Sequence, residues 1–155
     1  MEGNEDFTLV TSDKIDYYMK QGIILHDAKI MAQFSVLLRK DLILANINKN
    51  LDENQDDMHW MFHFKISRLG RVIELHIHQA ETVFLTFFPK FLCSLDQLEV
   101  IRFPNNGIET IPECIASLKS LRILDVSNCG PPNPFIPESI KSFVESLEKF
   151  NEFYK

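Results

Sequence analysis

"LEVIRFPNNGIETIPECIASLK", running from Leu98 to Lys119, decides the fold. Its apolar residues Leu98, Ile101, Phe103, Ile108, Ile111, Ile115 and Leu118 keep neither the alternation of a long strand nor the period of a helix. The pattern restarts with "LRILDVSNC" at Leu121 and has a forerunner in "VIELHIHQA" at Val72. All three stretches read apolar-x-x-apolar-x-apolar-x-x and close on Ala80, Asn106 or Cys129. Their starts lie 26 and 23 residues apart, a period that marks stacked repeats.

Such spacing has a physical meaning. Each unit supplies one short strand with Leu, Ile, Val or Phe pointing into a shared core. A return segment then carries the chain back for the next strand. The returns are "FFPKFLCSL", "IPECIASL" and, after the longer loop "GPPNPF", "IPESIKSF". No unit can bury its own apolar face, so stacking supplies the stability. Asn106, placed where the chain leaves its strand, can satisfy buried backbone groups of the turn, while Ala80 and Cys129 merely fit there.

These residues resemble the leucine-rich repeat family, in its short intracellular form with units ending in Ile-Pro-x-x-Ile-x-x-Leu. The pattern is cleanest over 98–129; 72–97 and 130–143 depart from it by extra residues near "ETVFLTF", by Ala80 and Cys129 in place of Asn, and by "GPPNPF". The resemblance implies an α/β fold: a short leucine-rich-repeat solenoid with a helical N-terminal cap and a C-terminal helix. It also implies a protein-binding role on the concave strand face.

The flanks are read as the caps of that stack. "TSDKIDYYMKQG" places Ile15, Tyr18 and Met19 at helical spacing, with Thr11 or Ser12 to cap and Gly22 to end the helix. "HDAKIMAQFSVLLRKDLIL" places Ile30, Phe34, Leu37 and Leu38 on one face, with Asp27 as its N-cap. After the acidic loop "DENQDD", "MFHFKI" alternates as a strand, and "SRLG" turns it back as a hairpin into Val72. Beyond Pro137, Ile140, Phe143, Val144, Leu147 and Phe150 form a helical stripe, read as a capping helix; a degenerate fourth repeat, "LEKFNEF", competes for the same residues. The expected division is an N-terminal cap over 1–70, repeats over 71–143 and a capping helix over 144–155, all in one structural domain.

Composition narrows the function classes. The chain has 155 residues, 45% hydrophobic, 13 Phe and a formal charge of −6. Eleven acidic and six basic residues fall within 1–57, so the acidity is concentrated there. No Lys/Arg cluster interleaves with aromatics, so nucleic acid is not expected as a partner. No apolar run is long enough for a membrane span, and "MEGNEDF" lacks the apolar core of a signal peptide. Cys93, Cys114 and Cys129 form no CxxC pair and read as free packing thiols in a reducing compartment. A cytoplasmic monomer is expected.

The residues between the core positions point to the concave face. Those expected to bind a partner are Glu74, His76, His78, Val100, Arg102, Ile123 and Asp125, with Pro104 and Ser127 beside them. The hairpin adds His63 and Lys65, with His59 and Met61 alongside. Such a mixture of imidazole, guanidinium and apolar groups suits a polypeptide. His76-x-His78 could contribute to a metal site with His63, His59 or Glu74, but adventitious surface histidines are the preferred reading. No Gly-rich phosphate loop, His-Glu-x-x-His or Gly-x-Ser-x-Gly is present, so no enzyme, catalytic residue, metal or cofactor is expected. Association through the apolar stretch "TVFLTFF" is the alternative; its favoured place is against the N-terminal cap. "PPNPFIP" reads as a stiff loop.

Overall fold

The computed structural model describes residues 10–39, 43–44, 62–78, 85–129 and 134–151. Two helices, α1 (Ser12–Met19) and α2 (Leu25–Leu38), precede the strands β1 (Ile43–Leu44) and β2 (Phe62–Ile66). Then follow β3 (Val72–Ile77), β4 (Val100–Arg102), β5 (Ile123–Asp125), a short α3 (Lys141–Glu145) and β6 (Lys149–Phe150). The strands form one open sheet in chain order, β1 to β6. β2 and β3 are antiparallel; every other neighbouring pair is parallel. The fold is therefore mixed α/β, and its sheet runs without a break through the joint at residue 70.

The returns explain why parallel strands can follow each other so closely. Pro89, Pro112 and Pro137 each precede a 3-10 turn, with φ of −68°, −71° and −56°. Proline favours this geometry because its ring fixes φ near the required value. Each proline carbonyl accepts a hydrogen bond at 3.1 Å from the amide three residues on: Leu92, Ile115 and Ile140. Two further bonds of the same kind, Leu95 N–H to Leu92 O and Leu98 N–H to Leu95 O, lead into β4. Leu118 and Leu121 repeat them before β5. A tight 3-10 turn thus replaces the longer helix that a parallel crossover usually needs.

Inside the stack the expected core positions are filled. Val72, Leu75, Ile77, Leu98, Ile101, Phe103, Leu121, Leu124 and Val126 are all buried. Leu92, Leu95, Ile108, Ile111, Ile115 and Leu118 close the core from the returns. Phe88 joins them, with its ring 5.6 Å from Phe103. Of the aromatic stretch near it, Leu85 is buried and Phe87 exposed, while Val83 and Phe84 lie outside the described residues.

Asn106 ties three of these layers together. Its Nδ2 donates to the carbonyls of Ile77, Phe103 and Pro104, each at 3.1 Å, and its Oδ1 accepts from Leu85 N–H at 3.0 Å. Its own amide donates to Cys129 Sγ at 3.3 Å, and that thiol donates to Phe103 O at 3.1 Å. Asn105 and Asn128 take the left-handed conformation at the turns, with φ of 59° and 54°, which Asn tolerates better than most residues.

The N-terminal helices join this core through Tyr18, Ile30, Met31, Phe34 and Leu38. Thr11 caps α1, accepting from Lys14 N–H. Met19 and Leu37, expected on the inward stripes, are exposed: α1 fully buries only Tyr18, whereas α2 buries most of its length and leaves Leu37 on its outer side. Asp27 also departs from expectation. Ile24 occupies the N-cap of α2, and Asp27 lies fully buried in the first turn. Its Oδ2 accepts from Arg71 Nε at 3.1 Å and Val72 N–H at 2.8 Å; its Oδ1 accepts from Arg71 Nη2 at 3.2 Å. Arg71 reaches onward to Asp96. A capping carboxylate would bond its own helix; this one bonds the sheet.

Two further expectations are corrected. The capping helix expected over 144–155 is not what its described residues form: α3 ends at Glu145, and β6 adds to the edge of the sheet, while 152–155 lie outside the described residues. Within the competing segment "LEKFNEF", Lys149 and Phe150 pair in parallel with Ile123 and Leu124. Asn151, at φ 51°, follows them and accepts from Val126 N–H at 2.7 Å. The second correction concerns thiols. Cys93 and Cys114 form a disulfide with Cα atoms 6.0 Å apart, joining the returns before and after β4. Only Cys129 is free, and it is buried.

Two measurements check this architecture. Asn106→Ala removes one acceptor and two donors from buried partners, so it should destabilise the protein by about 3 kcal/mol or more. Urea unfolding reads the change; a loss under about 0.5 kcal/mol, the usual surface value, would contradict the hub role. Thiol titration should find one group per chain in unreduced, denatured protein, none in the native state, and three after reduction. Three thiols without reductant would refute the bond.

Candidate functional site

Strand register decides which side chains meet on the face opposite the core. Alternation sends Leu75 and Ile77 inward, so Glu74, His76 and His78 take the other side. Pairing then sets them in rows. Lys65, Glu74, Val100, Ile123 and Lys149 stand side by side across β2 to β6. His63, His76, Arg102 and Asp125 form the next row across β2 to β5. His78 follows one step further along the chain. All seven expected contact residues therefore share one face, joined by His63 and Lys65. His59 and Met61 lie outside the described residues.

Accessibility separates them. Glu74, His76, His78, Arg102 and Ile123 are half-buried and keep surface to offer. Val100 and Asp125 do not: they are 3% and 4% exposed. Val100 stands between Glu74 and Ile123 in its row. Asp125 turns back on its own loop, where Oδ1 accepts from Ser127 N–H at 3.0 Å and from the Ser127 hydroxyl. It holds the loop in place rather than meeting a partner. Ser127, Pro104 and His63 are buried as well.

The polar groups are coupled across strands. Glu74 accepts from Lys65 Nζ at 3.3 Å and lies 3.0 Å from His76 Nε2. His76 in turn stacks on His63, with ring centroids 4.1 Å apart and planes 14° from parallel. The His76 contact, aided by Lys65, holds the Glu74 carboxyl down to about 2 against the opposing effect of burial. Burial, with the nearby charges of His76 and Arg102, brings His78 down to about 4, although Asp125 pulls the other way. His78 is therefore neutral near pH 7 and can both donate and accept a hydrogen bond.

Sequence reasoning missed the part of the face that β6 contributes. Lys149 extends the Glu74 row, and Arg122 bonds Glu148 at 2.8 Å with Glu99 at 3.9 Å on its other side. The available signal was the match of "LEKF" to "LRIL", which sets Lys149 level with Ile123. Among the described residues, no group of three or more His, Cys, Asp or Glu is placed to hold a metal ion. No helix among them is long and apolar enough to cross a membrane. Comparison with family models, curated proteins and solved structures finds no match to this chain.

The two shifted groups give stability a defined acid dependence. Both have folded pKa values below their ordinary ones, so each stabilises the fold above its unfolded value. Stability should fall as pH drops from 6.5 toward 4 through His78, and from 4.5 toward 2 through Glu74. His78→Gln should flatten the upper part of the urea-midpoint profile and leave the lower part in place. An unchanged slope between those upper limits would show that His78 is not responsible.

Proposed function

We propose that this protein is a polypeptide-binding module of the leucine-rich-repeat type. The partner lies across the sheet face and contacts Glu74, His76, His78, Arg102 and Ile123. The observation that carries this reading is the straight cross-strand alignment of donors, acceptors and one apolar side chain on successive parallel strands. The recurring Pro-anchored returns support the repeat reading, since each restores the same strand direction. Arg102 and the imidazoles supply directional hydrogen bonds, and Ile123 supplies apolar contact. Interfaces concentrate their energy in a few such anchors.

Binding on this face needs no chemistry beyond contact, so the reading assigns no catalytic role. The cytoplasmic placement, read from the acidic N-terminal stretch and unpaired cysteines, loses its second support through the Cys93–Cys114 bond. An oxidising compartment accords better with that bond. Both placements are compatible with a binding face.

A peptide-display selection against the immobilised full chain tests the reading. Selected peptides should lose at least about tenfold in affinity for an Arg102→Glu, His76→Ala double variant, the change expected when an anchor is removed. The variant's unfolding midpoint serves as the folding control. Peptides that bind both proteins equally would place the interface elsewhere.

A further inference from the structure

One end of the molecule carries an apolar and cationic surface that the sheet face does not explain. Leu69, at the tip of the β2–β3 hairpin, is 82% exposed, more than any other large apolar residue described. Ile24 N–H donates to Gly70 O at 3.1 Å, which brings the start of α2 beside that tip. Ile24, Leu25 and Met19 are also exposed there. Gly22 N–H bonds Met19 O, and a Cβ on Gly70 would lie 2.4 Å from Gly22 O, so the loop after α1 meets the hairpin directly. Four exposed apolar side chains thus gather at the meeting of three segments.

Local structure does not require them. The hairpin is fixed by Ser67, whose Oγ accepts from Leu69 and Arg71 amides at 3.3 Å, and by Gly70 at φ 74°. Any polar side chain would fit at Leu69, and turns favour one. The N-cap of α2 is likewise a place for Ser, Thr, Asp or Asn, yet Ile24 stands there with no side-chain cap bond. Leu25 follows it at the first helical position. Two independent positions therefore carry apolar residues where folding favours polar ones.

The charge around them runs against the rest of the chain. Residues 13–29 and 67–71 hold five Lys or Arg and three Asp, with Asp96 paired to Arg71 beside them, in a chain of net charge −6. Of those Asp residues, Asp27 is buried against Arg71, and Asp13 and Asp16 lie back along α1. Lys20, His26, Lys29 and Arg68 are exposed around the apolar tip.

We propose that this end docks on an anionic lipid surface, with Leu69, Ile24 and Leu25 entering the headgroup layer and Lys20, Lys29 and Arg68 meeting lipid phosphates or carboxylates. A protruding tip needs a pocket in a protein partner, whereas a bilayer yields to it without one. Apolar side chains ringed by cations are the combination that holds a peripheral surface on such a membrane. That no described helix is long and apolar enough to cross a membrane does not bear on this contact. It is independent of the sheet-face reading, because the two surfaces share no residue.

Co-sedimentation of the full chain with phosphatidylcholine vesicles, with and without about 30% phosphatidylserine, tests the proposal. The protein should sediment with the anionic vesicles only, and raising salt to about 0.5 M should release it. Leu69→Glu should weaken partitioning at least about tenfold, and so should the Lys20→Glu, Arg68→Glu pair. These side chains are exposed, so circular dichroism and the unfolding midpoint should match the parent. Failure to sediment, equal partitioning by the variants, or full competition by soluble phosphoserine would overturn it. Sheet-face variants should bind the vesicles as the parent does.

Discussion

A chain that leaves a parallel strand abruptly exposes backbone carbonyls at the very layer where the next strand must stack. Water cannot reach that layer, so the groups need a partner inside the protein. Asn106 is that partner for two successive turns. One short side chain joins the carbonyls of Ile77, Phe103 and Pro104 with the amide of Leu85. The donors and acceptor of a carboxamide match this demand; a carboxylate has no donor, and a hydroxyl has too few. Cys129 continues the role one layer on with a weaker donor, linking Asn106 N–H to Phe103 O. Asn151 takes it up at the edge, accepting from Val126 N–H. Everything else in the sheet, including the rows on its outer face, inherits its spacing from these turns.

The joint at the other end is ionic. Asp27 is wholly buried, and a carboxylate there needs a cation and several hydrogen bonds. Arg71 supplies a two-point contact, Val72 a backbone amide and His26 a ring nitrogen. The pair connects α2 to the first residue of β3, so it fixes the angle at which the helical segment meets the stack. Removing Arg71 leaves the buried Asp27 side chain without its cation, at a cost of about 3–5 kcal/mol, whereas removing Asp27 leaves Arg71 its contact with Asp96. An apolar contact would hold the same surfaces with less directional control. Arg71 also reaches Asp96, just before β4, so one guanidinium spans the helix, the hairpin and the first return.

The sequence revealed the buried positions, because their spacing is a pattern that periodicity detects. The inward Leu, Ile, Val and Phe positions and the need for Asn106 follow from spacing alone. The hairpin from "MFHFKI" through "SRLG" was equally legible. What escaped depends on contacts between distant residues. Cys93 and Cys114 are 21 apart and match no spacing motif, yet stacked returns bring their Cα atoms within 6.0 Å. Asp27 resembled a cap because local rules cannot see an arginine 44 residues away. On the candidate site, alternation placed all seven residues on one face, as the strand register has them. It could not show that Val100 is buried or that Asp125 turns toward Ser127. Beyond Pro137 both periods fitted the same residues. The helical one governs up to Glu145, and the sheet edge at β5 captures Lys149 and Phe150.

These restraints are not spread evenly, and their distribution bears on how the face can work. β4 is held from both sides. The disulfide joins the returns that lead into and out of it, and Asn106 anchors the turn after it to the layer before. Arg102, on β4, therefore has a backbone whose position is fixed before any partner arrives. A fixed anchor loses less freedom on binding and contributes more of its contact energy. β6 stands at the edge, held by the β5 ladder, by Phe150 against the core and by the Asn151 bond, with Arg122 and Glu148 paired beside it. Edge elements with few buried contacts open at the lowest free energy. The face thus grades from a rigid centre at Arg102 to a yielding margin at Lys149. On the proposed binding reading, a partner at the centre would meet a preformed surface, while one at the margin would have to hold that edge closed.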